Sequence, residues 1–195
     1  MRHLVRATAL TLFSLLLAAC TDTSGPTAPA DDAAALARRN GGADDLERRV
    51  NMMDACDPTT FNAALGDPAA CVRNGGVTFE HFIAQLTKHQ KVGAWHFAPP
   101  NMHVAVGDVL LAVNRGGEDH TFTEVEEFGG GIVPDLNALA GTPVQAPECL
   151  SLDEDDFVPP GGTYRDEVEE AGTELYQCCI HPWMRTVVHA RAHDR

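Results

Sequence analysis

The chain is short of positive charge. It has 14 Lys and Arg against 28 Asp and Glu, a formal charge of −14. That deficit argues against a nucleic-acid-binding surface, which needs clustered cations. A basic or metal-ion partner fits such acidity, which otherwise simply favours solubility. A long hydrophobic run is also missing. The apolar segment Ala7–Ala19, with Leu12, Phe13, Leu15, Leu16 and Leu17, falls short of the roughly 20 residues needed to cross a bilayer. Length is limiting as well, since 195 residues bury one good core rather than two large ones. Aromatics are few, with two Trp, two Tyr and eight Phe, yet sufficient for a small β domain.

What is present begins with an export signal. Met1–Arg6 is short and basic, the apolar run follows, and the segment ends Leu17-Ala-Ala-Cys20. This pattern reads as a secretory signal and resembles a bacterial lipobox, in which Cys20 becomes the lipidated N-terminus. It predicts a membrane-anchored lipoprotein, periplasmic or on the cell surface. Thr21 in place of Asp after Cys20 favours the outer membrane where the cell has one. Residues 21–47, with Thr23-Ser-Gly-Pro-Thr-Ala-Pro-Ala30, read as a flexible tether.

Residues 48–92 read as a helical extension. Asp57-Pro58 is an N-cap followed by Pro at the first helical position, and Gly66 is a stop. Thr78 caps a second helix in which Phe79, Phe82, Ile83 and Leu86 fall at i, i+3, i+4 and i+7. From Gly93 the period becomes two. Met102, Val104 and Val106 alternate with His103 and Ala105, and Val109, Leu111 and Val113 with Leu110 and Ala112. Further strands are predicted at His120–Val125, near Tyr164, at Glu174–Cys178 and at Arg185–Ala190. Many short strands at this spacing predict a mainly β sandwich or barrel over residues 93–195. Between Phe128 and Val158 lies a long excursion containing Cys149, expected to be held down rather than free.

The densest chemistry is in Tyr176-Gln-Cys-Cys-Ile-His-Pro-Trp-Met184. Cys178-x-x-His181-x-x-Met184 places a thiol, an imidazole and a thioether within seven residues. Soft sulfur with imidazole suits copper, and a trigonal His₂Cys set with a weak axial Met is the blue-copper electron-transfer arrangement. Such a site needs a second His, and Asn114-Arg-Gly-Gly-Glu-Asp-His120 supplies one. With these residues the chain resembles the cupredoxins, most nearly the plastocyanin and amicyanin-like members, over roughly residues 93–191. The resemblance implies a Greek-key β-sandwich and one type 1 copper held by His120, Cys178, His181 and Met184.

Cys178 and Cys179 compete for the thiolate role. Only Cys178 gives the Cys-x-x-His spacing of the family. Strand alternation also sends neighbours to opposite faces, placing Cys178 with Tyr176 and turning Cys179 away. With Cys178 on the metal and Cys20 in the lipobox, four cysteines remain, and they allow three pairings. Cys56 and Cys71 flank one short helix and are expected to pair, leaving Cys149 for Cys179. Pro182 stiffens the ligand loop, Trp183 is expected to pack over the site, and Asn114 to brace the loop before His120. His81, His89, His96, His103, His189 and His193 read as solvated side chains.

The expected function is a tethered one-electron carrier, not an enzyme. The additional His clusters of a multicopper oxidase are missing. The alternative is a copper-scavenging or delivery module, which would favour Met and His runs; the five Met do not cluster. Expected to be a monomer, the protein would meet a redox partner such as a basic c-type cytochrome through Glu118, Asp119, Glu124, Glu126, Glu127 and Asp153–Asp156.

Overall fold

The computed structural model describes residues 46–192. Cys20, most of the tether and His193 lie outside them. Among the described residues, ten strands and three α-helices follow in order. The strands are β1 (Glu47–Met53), β2 (His96–Ala98), β3 (Asn101–Ala105), β4 (Val109–Asn114), β5 (His120–Thr121), β6 (Thr123–Val125), β7 (Phe157–Val158), β8 (Thr163–Glu167), β9 (Gly172–Gln177) and β10 (Arg185–Arg191). The helices are α1 (Pro58–Leu65), α2 (Phe79–His89) and α3 (Pro134–Ala140).

Two four-stranded sheets form a sandwich, ordered β2-β1-β4-β8 and β3-β10-β9-β6, with β5 and β7 as a separate pair. Each sheet is mixed: β1 runs parallel to β4, and β10 parallel to β3. The remaining pairs are antiparallel. One core joins the two sheets. Val50, Met52, Phe97, Leu110 and Ala112 of the first meet Val104, Tyr176 and Val188 of the second. Phe122 bridges them, its ring 5.5 Å from Phe97 and stacked 4.4 Å from Tyr176.

The strand β1 differs from the sequence reading, which gives residues 48–92 as helical and residue 47 as tether. It lies inside the first sheet, with Glu47 opposite Val109 and Met52 opposite Asn114. Only Val50 and Met52 turn fully inward, an alternation too short to register as a pattern. Arg48, the first residue of the expected helical extension, is instead on this strand and held by Asp108 at 2.8 Å.

The two expected helices form where their caps place them. Asp57 Oδ1 accepts the Thr60 N–H at 2.9 Å, and Gly66 ends α1 with φ 70°. Thr78 caps α2. Phe61, Phe79, Phe82 and Trp95 form one aromatic cluster linking both helices to the sandwich. The excursion after Phe128 contains α3, which has no side-chain N-cap and a short sequence. Two disulfides, Cys56–Cys71 and Cys149–Cys179, are formed. This is the expected pairing, and the second ties the excursion to the end of β9. Among the described residues no helix is long and apolar enough to cross a membrane.

Candidate metal centre

Strand β9 runs into Cys178, and β10 leaves the loop at Arg185. The loop between is closed by its own backbone. The Cys178 N–H donates to the Met184 carbonyl at 3.0 Å, and the Met184 N–H to the His181 carbonyl at 2.9 Å. Arg185 Nε donates to the Pro182 carbonyl at 2.6 Å. These bonds fold Cys178, His181 and Met184 inward together. All are buried, Cys178 and Met184 completely and His181 to 3% exposure.

His120 arrives from β5, whose pairing with β7 sets it opposite Val158. Asn114 braces the approach, as expected. Its amide donates to the carbonyls of Glu118 and Val158, both at 2.8 Å, while its Oδ1 accepts the Gly116 N–H. The result is a triangle of donor atoms. Cys178 Sγ lies 3.8 Å from His120 Nδ1 and 3.9 Å from His181 Nδ1, and all three atoms fall within 4.8 Å of one another. Sulfur and nitrogen held about 120° apart at metal-bond lengths of about 2.3 and 2.0 Å would be about 3.7 Å apart. The spacing therefore fits one ion between the three side chains. Met184 is buried in the same core cluster.

The thiol is prepared for a cation. Burial pushes the Cys178 thiol up, but the facing imidazoles of His120 and His181 outweigh this and hold it well below the usual thiol range. The Thr121 N–H also points at Sγ, 3.4 Å away. Cys178 is the free cysteine among the described residues. Cys179, one residue on, belongs to a separate small core with Val125, Ala146 and Cys149. Alternation at the strand end thus separates the two neighbours as the sequence predicts. The Cys179 N–H is held by Thr121 Oγ1 at 2.8 Å, so one threonine fixes both cysteines.

Two carboxylates stand behind the imidazoles, and sequence reasoning missed the role of both. Asp54 Oδ2 is 3.0 Å from His120 Nε2. Asp54 also accepts the Gly117 N–H at 2.9 and 2.8 Å and the Glu118 N–H at 3.1 Å. Burial pushes the Asp54 carboxyl up, but His120 and these N–H groups draw it below its ordinary value. Burial lowers His120, yet its bonds to Asp54 and Cys178 raise it to about 9. Behind His181, Glu118 Oε2 lies 3.7 Å from Nε2 and accepts the Trp95 indole N–H at 2.6 Å. Burial dominates at Glu118 and raises its carboxyl.

Glu118 corrects the sequence reading, which counts it among exposed docking acids; it is 8% exposed. Asp119, Glu124, Glu126 and Glu127 are exposed. No local pattern marks Asp54, which lies 66 residues before His120. The available signal is the pair Gly116-Gly117 just before His120. Both glycines have a packing cause. A Cβ on Gly116 would collide with the Asp54 carboxylate, and one on Gly117 would crowd Cys56 Sγ and the Arg73 backbone. The Cys56–Cys71 segment and the loop before His120 are therefore packed without side-chain clearance.

The helical extension covers the centre. Phe82 of α2 lies 6.4 Å from the His181 ring and 5.9 Å from Trp183. An apolar cavity of about 300 Å³ opens beside His181, lined by Phe61, Phe82, Leu136 and Ile180, with Glu118 in its wall. A larger cleft of about 630 Å³ lies elsewhere and is acidic, lined by Glu124, Glu126, Glu148, Asp156 and Asp166.

No family model matches this sequence, and no curated protein does. Solved structures do match. A purple cupredoxin from Nitrosopumilus maritimus is 20% identical, covering 51% of this chain and 86% of its own, with a TM-score of 0.38. The M98A mutant of amicyanin in its Cu(I) form is 23% identical, covering 49% of this chain and 73% of its own, with a TM-score of 0.32. The oxidised plastocyanin of Dryopteris crassirhizoma is 15% identical, covering 74% of this chain and all of its own, with a TM-score of 0.38. These neighbours are cupredoxins.

Proposed function

We propose that the protein is a one-electron carrier, not an enzyme, built around a single type 1 copper ion. The observation that carries this reading is the buried free thiol of Cys178 with two imidazole nitrogens at 3.8 and 3.9 Å. Sulfur and imidazole donors in a trigonal set suit copper, and a thioether is its usual weak fourth partner. When bound, copper supplies a one-electron couple. The chain's own residues do the rest. The closed loop and the Asp54 carboxylate hold the ligands in place, which limits rearrangement between oxidation states. The sandwich and helices exclude water. Asp54 adds negative charge behind His120, favouring the more highly charged state of the ion. Burial of all three donors opposes a delivery role, which requires the ion to be handed on.

The carrier works outside the cytoplasm. Two disulfides among the described cysteines accord with an oxidising compartment, and the Cys20 lipobox would anchor the chain. The exposed acids around Glu124 and Glu126 would steer a basic partner such as a c-type cytochrome, and that attraction must weaken with salt. The test is an absorption spectrum of the purified protein after Cu(II) addition. An intense visible thiolate-to-copper band with reversible reduction supports the carrier. A colourless Cu(I) complex would favour delivery, and absence of metal binding would overturn the copper reading.

A further inference from the structure

We propose a second metal site, on the outer face of the second sheet, formed by His103 and His189 and taking a divalent late transition metal, Cu(II) most tightly. The sequence shows only scattered histidines. The register brings these two together, because β3 and β10 are parallel and His103 is the direct partner of His189. Directly paired residues project to the same side of a sheet. Their rings stack with centroids 5.0 Å apart and planes at 29°. His103 is exposed and His189 half-buried.

A third strand orients one ring. Thr173 of β9 is the partner of His189 on its other side, and its Oγ1 lies 3.3 Å from His189 Nδ1. When Nδ1–H donates to that oxygen, the lone pair resides on Nε2, free to bind. An oxygen partner on the second ring nitrogen is the usual support for a metal-bound histidine. Two adjacent ligands with bonds of about 2.0 Å are about 2.9 Å apart. Rotation of the exposed His103 ring closes the stack to that distance. Water can complete the coordination on this open face. With nitrogen and oxygen donors and no thiolate, the site suits Cu(II), Ni(II) or Zn(II), in the order that puts Cu(II) first. Arg191, two residues along the same strand face, opposes a cation, so this site binds more weakly than one built around a buried thiolate.

The site does not depend on the buried cluster, and the experiment separates them. The full chain is titrated with Cu(II) by calorimetry, and the histidine ring protons are followed by NMR. Uptake of an equivalent that broadens the His103 and His189 signals is expected. His103→Ala and His189→Ala, both at surface positions, should each weaken that equivalent by roughly tenfold or more, and Thr173→Val by roughly tenfold or less. His96→Ala, on the other sheet, should change nothing. This outcome is expected even if the Cys178 centre binds no copper. Unchanged binding in both alanine variants, or no broadening of these two rings in excess Cu(II), would overturn the proposal.

Discussion

The two imidazoles facing the Cys178 thiol are held in different ways. His120 sits on a strand, fully buried, and its carboxylate partner Asp54 is 3.0 Å away, itself held by the Gly117 and Glu118 N–H groups. His181 sits on a loop beside a cavity. Its carboxylate, Glu118, is 3.7 Å away and already engaged by Trp95 at 2.6 Å. The carboxyls shift in opposite directions accordingly, Asp54 down and Glu118 up. A carboxylate surrounded by donors stays charged and directs its histidine. One surrounded by rings is more readily neutral and directs less. The centre thus has a rigid arm and an adaptable arm.

Both arms meet at Cys178, so the largest effect is expected there. Cys178→Ser should abolish the visible charge-transfer band, while Cys179→Ser should keep it and lose stability instead. The lost bridge closes a loop of about 30 residues, for which chain entropy predicts roughly 3–4 kcal/mol. Spectra and denaturant melts of the two variants test this. A band lost with Cys179 and kept with Cys178 would reverse the assignment.

The rigid arm comes next. Asp54→Asn keeps the shape but removes the charge behind His120. Loss of such a partner typically weakens metal binding by about 10–100-fold, and the reduction potential should rise. Gly116→Ala should act in the same direction, because its new Cβ displaces Asp54. Copper competition and voltammetry measure both effects. If Asp54→Asn affects neither affinity nor potential, the rigid-arm account fails. The adaptable arm should respond less. Glu118→Gln keeps an acceptor for Trp95, and its change in affinity and potential should be smaller than that of Asp54→Asn. An equal or larger change would mean that Glu118, despite its longer contact, directs His181 as firmly as Asp54 directs His120.

The sequence made the inner triangle legible because its chemistry is local. Cys178, His181 and Met184 lie in seven residues, and alternation at the end of β9 separates Cys178 from Cys179. His120 was readable as the second imidazole once that triad was seen. The supporting carboxylates were not. Asp54 reaches His120 only because β1 inserts beside β4, a parallel pairing that brings together residues far apart in the chain. The two inward residues of β1, Val50 and Met52, are too few to announce a strand. Glu118 lies in an acidic stretch, where composition suggests solvent, and only the packing of Trp95 and α2 buries it. Strand alternation foretold the sandwich from Gly93 onward, but register lay beyond it, and with it the pairing of His103 with His189.

The smallest expected effect on the metal separates carboxylate chemistry from metal support. Asp108 resembles Asp54 in its surroundings: it is 2% exposed, and its oxygens accept the Leu46 N–H at 3.1 Å, the Ala105 N–H at 3.0 Å and Arg48 Nε at 2.8 Å. Burial pushes its carboxyl up, but those donors, with Arg48 among them, draw it below its ordinary value. A carboxyl depressed in the folded state adds stability above its unfolded value, about 3.9. That contribution is lost as pH falls through the lower folded value. Asp108→Asn leaves buried donors poorly matched, at a cost of about 1–3 kcal/mol near neutral pH. The cost should shrink in acid, where the parent loses its own advantage. Because Asp108 joins β1 to the turn before β4 and touches neither imidazole, the visible band and potential should not move. Melts at neutral and acidic pH, paired with spectra, test this. A shifted potential in Asp108→Asn would show that the metal centre responds to sandwich stability as a whole, and the Asp54 result could then no longer be assigned to its contact with His120.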